Sequence, residues 1–215
     1  MKTAKIPATN QEFTIGKIVC LARNYAEHAR ELGNETPAAP VLFMKPASSV
    51  VGDGEAVRIP PYSQECHYEV ELAVLIGKQC RGVSAEDALE HVAGYGVGID
   101  MTLRDVQNGL KAKGLPWEIA KGFDHSAPIG ALVPAKGIPV PLKGRIELKV
   151  NGDVRQGGDL ADQDRQVGTD RRLATREADA VDAEVLDAEP GDALDLLERE
   201  HLGARQPLHA LFGHA

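Results

Sequence analysis

Short apolar runs separated by polar breaks fill the first 160 residues, and the pattern predicts strands mixed with three helices. Lys17–Ala22 is an apolar run between polar residues and reads as a strand. Asn24 can cap a helix over YAEHAREL, with Gly33 as its stop. VLFMK at 41–45 predicts a strand that ends at Pro46. Glu69–Gly77, EVELAVLIG, is β-rich and too apolar for a half-exposed strand, so it predicts a buried one. Ser84 opens a capped helix over SAEDALEHVA, with an acid three residues on. Gly94–Asp100, GYGVGID, predicts a glycine-rich strand. Asp100 or Thr102 starts a helix over TLRDVQNGLKAK, which Gly114 closes with Pro116 beyond. Asn151-Gly152, between IELKV and DVRQ, signals a two-residue hairpin. Strands predominate, strand and helix do not alternate regularly, and no G-x-G-x-x-G follows a strand. The expected class is therefore α+β rather than a doubly wound sheet.

Composition narrows the classes further. The chain has 215 residues, enough for one domain with or without an appendage, and 43% apolar with 26% charged residues is globular usage. A net charge of −8 argues against non-specific nucleic-acid binding, which needs clustered Lys and Arg. No apolar run approaches the roughly 20 residues of a membrane span. The start, MKTAKIPATNQEF, has no apolar stretch behind its lysines and does not read as a signal peptide. Cys20, Cys66 and Cys80 are odd in number and widely spaced, so reduced thiols and a cytoplasmic location are expected.

Charge divides the chain near residue 160. Residues 161–201 carry thirteen acids and five bases, the whole of the net charge, while the remainder balances 19 acids with 19 bases. Lys149 is the last lysine, and only Phe212 of the nine aromatic residues lies beyond residue 150. The organisation expected is a folded domain over 1–160 and an acidic Ala/Asp/Arg-rich tail over 161–215. The tail reads either as disordered, having little to bury, or as helical over 172–188 and 193–202 around Pro190-Gly191.

Candidate chemistry centres on Glu69 and Glu71. Side chains at i and i+2 of a strand share a face, so two carboxylates stand side by side in an apolar run. Burying them requires arginines, protons or a cation, and Asp100 at the end of the glycine-rich strand can converge as a third acid. Three carboxylates are hard ligands for Mg²⁺, Mn²⁺ or Ca²⁺. The alternative is a solvated edge strand. His28 and Glu31, i and i+3 on the first helix, make either a His–carboxylate general base or a solvated face. Arg104 and Gln107 share that spacing and either bind a substrate carboxylate or lie on the surface. Lys121, after Trp117, is either partly desolvated or snorkelling, and His67 is either a ligand or an exposed strand-entry residue.

Taken in order, KIVCLARNYAEHARELG, PVLFMKPASSVVG, HYEVELAVLIGK and AGYGVGIDMTLRDVQNGLKAKGLPWEIAKGFDHSAPIG resemble the fumarylacetoacetate hydrolase family, especially its small acylpyruvate-hydrolase-like members. The resemblance runs from about residue 16 to about 160. It implies a β-rich mixed-sheet roll with a few short helices, and a homodimer. It implies Mg²⁺ or Mn²⁺ on Glu69, Glu71 and Asp100, and a His28–Glu31 pair on a lid helix that activates water. Arg23, Tyr25, Arg104 and Gln107 would line the substrate pocket, with Asn24 in the same motif, and Lys121 would stabilise the leaving carbanion. The implied activity is hydrolysis of a carbon–carbon bond in a 2,4-dioxo acid such as fumarylpyruvate or acetylpyruvate, as in aromatic catabolism. The same site can serve oxaloacetate decarboxylation or 2-oxo acid isomerisation.

Beyond VNGDVRQGGDLADQ the resemblance stops, and the family's T-G-T-P turn, whose threonine touches substrate, is missing. The tail is then a divergent folded replacement, a disordered extension, or the product of a shifted reading frame in a GC-rich message. An inactive or binding-only protein is the corresponding functional alternative.

Overall fold

The computed structural model describes residues 1–22, 39–140 and 142–160, together with three later strands at 166–167, 180–186 and 208–214. β1 (Thr3–Ile6) and β2 (Gln11–Thr14) form a hairpin. β3 (Lys17–Ala22) and β4 (Val41–Pro46) pair antiparallel, both where the apolar runs predict strands. Short strands β5 (Val50–Val51), β6 (Ala56–Ile59) and β7 (Cys66–His67) lead into β8 (Val70–Ile76), which pairs antiparallel with β9 (Val92–Ile99). β10 (Thr102–Leu103) returns to β7 and runs into helix α1 (Arg104–Ala112), followed by the short α2 (Glu118–Lys121). β11 (Ala127–Pro128) and β12 (Val133–Pro134) pair with β5 and β9.

The predicted hairpin is present as β13 (Arg145–Val150) and β14 (Asp153–Asp159). Asn151 at φ 53° and Gly152 at φ 87° supply the two left-handed residues that a tight hairpin turn needs. β15 (Gln166–Val167), β16 (Ala180–Leu186) and β17 (Leu208–His214) complete a six-stranded sheet in the order β15-β14-β13-β16-β17-β6. The α+β class and the β-rich mixed sheet with few helices are therefore as expected, since β17 runs parallel to β6 while the other pairs of that sheet are antiparallel. The core lies between the large sheet and the β8–β9 layer, built from Val57, Ile59, Tyr68, Val70, Ile99, Met101, Leu103, Ile146 and Leu148. Among the described residues no helix is long and apolar enough to cross a membrane.

Four expectations are corrected. SAEDALEHVA forms only a 3₁₀ turn, Ala88–His91, because Val92 is already paired with Ile76 in the β8–β9 ladder. The capping contact is made all the same, Asp87 N–H donating to Ser84 Oγ at 3.1 Å. The helix after the glycine-rich strand starts at Arg104, since Thr102 and Leu103 are held by β7. β8 is buried only at Val70, half-buried through Ala73 and open at its far end, where Val74 and Ile76 are exposed. In the tail, the helix expected over 172–188 is strand over Ala180–Leu186, hydrogen-bonded to β13, while 193–202 lies outside the described residues.

Candidate active site

Strand register assembles the acids. In the β8–β9 ladder Val70 faces Ile99 and Glu71 faces Gly98. One step further, Asp100 N–H donates to Glu69 O at 2.8 Å, which sets Glu69 across from Asp100. Glycine in β9 has a steric reason: a Cβ at Gly94 would stand 2.4 Å from the Val133 carbonyl oxygen, so β12 could not pack there. β7 pairs with β10 to set His67 opposite Thr102, and Arg104 N–H donates to Glu65 O at 2.7 Å. Helix α1 then projects Arg104 from its first turn and Gln107 one turn later. Helix α2 ends on Lys121.

Three cations and these acids interlock. Lys121 Nζ donates to Asp100 Oδ2 at 2.5 Å, to Thr102 Oγ1 at 2.5 Å and to Glu69 Oε2 at 3.2 Å. Arg104 donates through Nη2 to Glu69 Oε1 at 2.7 Å, through Nη1 to Gln107 Oε1 at 2.7 Å and through Nε to His67 Nδ1 at 3.3 Å. Lys45 Nζ donates to the carbonyls of Met101 and Ser126 and to Ser126 Oγ, each at 3.1 Å, and to the Lys121 carbonyl. It also stands 2.9 Å from Asp100 Oδ1. Burial acts to lower the Lys121 pKa, yet the charges of Asp100 and Glu69 prevail and hold it above the ordinary lysine value. Lys45 goes the other way: burial outweighs its one carboxylate, and the nearby Lys121 charge adds to the lowering.

The structure decides several open alternatives. Glu69, Asp100, Arg104, Gln107 and Lys121 come together. Gln107 and Lys121 are 3% and 4% exposed, so neither is a surface residue. Glu71 is half-buried on the same strand, and its charge, like that of Asp100, bears on the Cys20 thiol of β3. His67 is not the exposed strand-entry residue of one reading, because its side chain is 14% exposed and bonded to Arg104 and Glu65. Arg23, Asn24, Tyr25, His28 and Glu31 lie outside the described residues. Sequence reasoning missed Lys45, Thr102 and Ser126. A lysine inside the apolar run VLFMKP was the available signal for Lys45, since a buried charge must have a partner.

Beside Lys121 opens a cleft of about 230 Å³ lined mainly by Val41, Phe43, Met44, Pro116 and Trp117. Lys121 Nζ stands 4.9 Å from the Phe43 ring centroid, so the ammonium closes one end of this apolar space. Among the described residues, no three His, Cys, Asp or Glu side chains stand at metal-holding distance. The Lys121 ammonium stands between Asp100 and Glu69. The donor set nevertheless suits a hard divalent cation: carboxylate oxygens only, including Asp100 Oδ1, a buried oxygen whose charge is met by the Lys45 ammonium at 2.9 Å.

Comparison with known proteins identifies the family. Residues 17–168 match the family described as Fumarylacetoacetate (FAA) hydrolase C-terminal. The mitochondrial oxaloacetate tautomerase of Bos taurus is 49% identical over 144 residues, covering 67% of this chain and 65% of that protein. Its counterpart in Arabidopsis thaliana is 46% identical over 142 residues, covering 66% and 64%. The matched segment thus spans about two thirds of each relative. The fumarylpyruvate hydrolase of Pseudomonas aeruginosa, crystallised with Mn²⁺ and pyruvate, is similar over 100% of this chain and 96% of that one, with TM-score 0.79 and 31% identity.

Proposed function

This chain belongs to the fumarylacetoacetate hydrolase family, and from that premise we propose that it is a divalent-metal-dependent enzyme that turns over small 2-oxo acids through an enolate. Its leading reaction is hydrolysis of the carbon–carbon bond of an acylpyruvate such as acetylpyruvate or fumarylpyruvate. The observation that carries the reading is the buried Lys121 ammonium, fixed against Asp100, Glu69 and Thr102 at the end of an apolar cleft. Mg²⁺ or Mn²⁺ held by Glu69, Glu71 and Asp100 would supply Lewis-acid polarisation of a 2-oxo acid.

The chain's own residues supply the rest. Arg104 and Gln107 orient the substrate carboxylate, with Arg23 and Tyr25 as further binding residues. The acyl group lies along the cleft between Phe43 and Trp117. His28, oriented by Glu31, takes a proton from a water, which adds to the distal carbonyl. The carbon–carbon bond then breaks, its electron pair passes to the C2 oxygen as an enolate, and Lys121 stabilises that charge. Protonation at carbon yields pyruvate and the free acid.

A second reading needs no water. Oxaloacetate can exchange a C3 proton for one on oxygen, or lose CO₂, with Lys121 serving the same enolate. Similarity to the oxaloacetate tautomerases favours this reading. A third, binding without turnover, follows from the missing T-G-T-P turn.

Assays of acetylpyruvate, fumarylpyruvate and oxaloacetate, each with Mg²⁺ and with EDTA, test all three. Pyruvate plus the free acid, abolished by EDTA, is the expected result. Enol–keto exchange or CO₂ release from oxaloacetate alone would shift the assignment to the second reading. Substrate binding with no turnover of any of the three would overturn the enzymatic one.

A further inference from the structure

The proposed function gives Arg104 the substrate carboxylate, and the inference that follows rests on that reading. An arginine side chain is long and flexible, and its planar fork is useful only if its plane is fixed. Three acceptors on different sides fix it here: Glu69 Oε1 at Nη2, Gln107 Oε1 at Nη1 and His67 Nδ1 at Nε. Of the five N–H donors of the guanidinium, one on each terminal nitrogen remains for a carboxylate.

His67 Nδ1 accepts from Arg104, so its ring proton sits on Nε2 and is donated to Glu65 Oε1 at 2.9 Å. The ring is thus a neutral wedge between an acid and an arginine, set there by the β7–β10 pairing that faces His67 with Thr102. Glu69 divides its two oxygens between Arg104 and Lys121 and is also an expected metal ligand, so its orientation depends on what it holds. His67, by contrast, has both ring nitrogens engaged, Nδ1 by Arg104 and Nε2 by Glu65. We propose that His67, braced by Glu65, is a positioning residue that holds the Arg104 guanidinium in the plane that receives the substrate's carboxylate.

The test compares His67→Leu with His67→Asn in Mn²⁺-loaded protein, using oxalate as an unreactive mimic of the 2-oxo acid head. Asn can present a side-chain oxygen close to the position of Nδ1. His67→Leu is expected to weaken oxalate binding by about tenfold, the scale of one hydrogen bond to a charged group. Its Mn²⁺ affinity and melting temperature should stay at wild-type values, and oxaloacetate turnover should show a raised KM with kcat retained. His67→Asn should recover most of the affinity. Wild-type oxalate binding by His67→Leu would overturn the proposal. So would equal loss in both variants accompanied by a fall in melting temperature, since that marks a merely structural role. If the wild type binds neither Mn²⁺ nor oxalate, the proposed function fails first, and nitrogen NMR then judges the positioning contact. His67 should show the Nε2–H tautomer and a Nδ1 signal that shifts in Arg104→Lys; a signal indifferent to that substitution would overturn the contact itself.

Discussion

Lys45 has 1% of its surface exposed, so its amine must find polar partners inside the fold. Its ammonium holds the Met101, Lys121 and Ser126 carbonyls and stands against Asp100, so one side chain joins the end of the β9 segment to the turn after α2. Lys45→Met would leave those carbonyls without this donor and remove a countercharge from Asp100. Breaking a buried pair from one side costs about 3–5 kcal/mol, so the urea midpoint should fall sharply; an unchanged midpoint would show that Lys45 contributes no net stability. The thiols give a second residue-level expectation. Burial pushes the Cys20 thiol up to about 12, helped by Asp100, and burial pushes Cys66 up to about 12 as well. At pH 8 a thiol with such a pKa is ionised to about one part in ten thousand, and the thiolate is the reactive form. Raising the pH towards 12 should therefore raise the reactivity of these two while the fold persists. A disulfide reagent at pH 8 should label exposed Cys80 quickly in the native protein, and Cys20 and Cys66 only on unfolding. His28→Ala should depress acylpyruvate hydrolysis about 100-fold or more while affecting oxaloacetate tautomerisation or decarboxylation much less, because only hydrolysis needs an activated water. Equal losses, measured as kcat on both substrates, would remove His28 from that role.

Elements whose signals are local were legible from the sequence. β3, β4, β8 and β9 lie where apolar runs put them, and Asn151-Gly152 makes its hairpin because only turn chemistry is involved. SAEDALEHVA was not legible, because pairing of Val92 with Ile76 overrides a good cap and good helix formers. The site divides in the same way. Glu69 and Glu71 announce themselves by alternation, and Arg104 and Gln107 by helical spacing. Lys45 finds its partners 56 to 81 residues away, a distance no local pattern encodes. One element also presents an open surface. On the outer face of the β3–β4 pair, Val19 stands beside Met44 and Leu21 beside Leu42, and all four are at least half exposed. Such a patch suits the homodimer we expect. Leu21→Glu together with Leu42→Glu should convert a dimer to a monomer in light scattering after size-exclusion chromatography. A double variant that elutes and scatters as the wild type would place the contact elsewhere.

At the scale of the molecule the tail stands apart. The family match ends at residue 168, yet similarity to the Pseudomonas hydrolase structure covers the whole chain. The β16 strand lies along the edge of β13 that β14 leaves free, and β17 lies between β16 and β6. Their neighbours β13 and β6 carry Ile146, Leu148, Val57 and Ile59 of the core, so these late strands complete the layer that backs the site. A folded replacement and a frame-shifted tail then make opposite predictions. If β16 and β17 contribute to folding, a chain ending at residue 160 exposes two sheet edges and the apolar faces beside them, and should aggregate or lose its cooperative melting transition. If the tail is out of frame, the same truncation should leave the melting temperature unchanged, and a neighbouring frame of the coding DNA should read the missing T-G-T-P turn. Thermal unfolding of the truncated and full-length chains therefore separates the two, and the strand pairing leads us to expect the first.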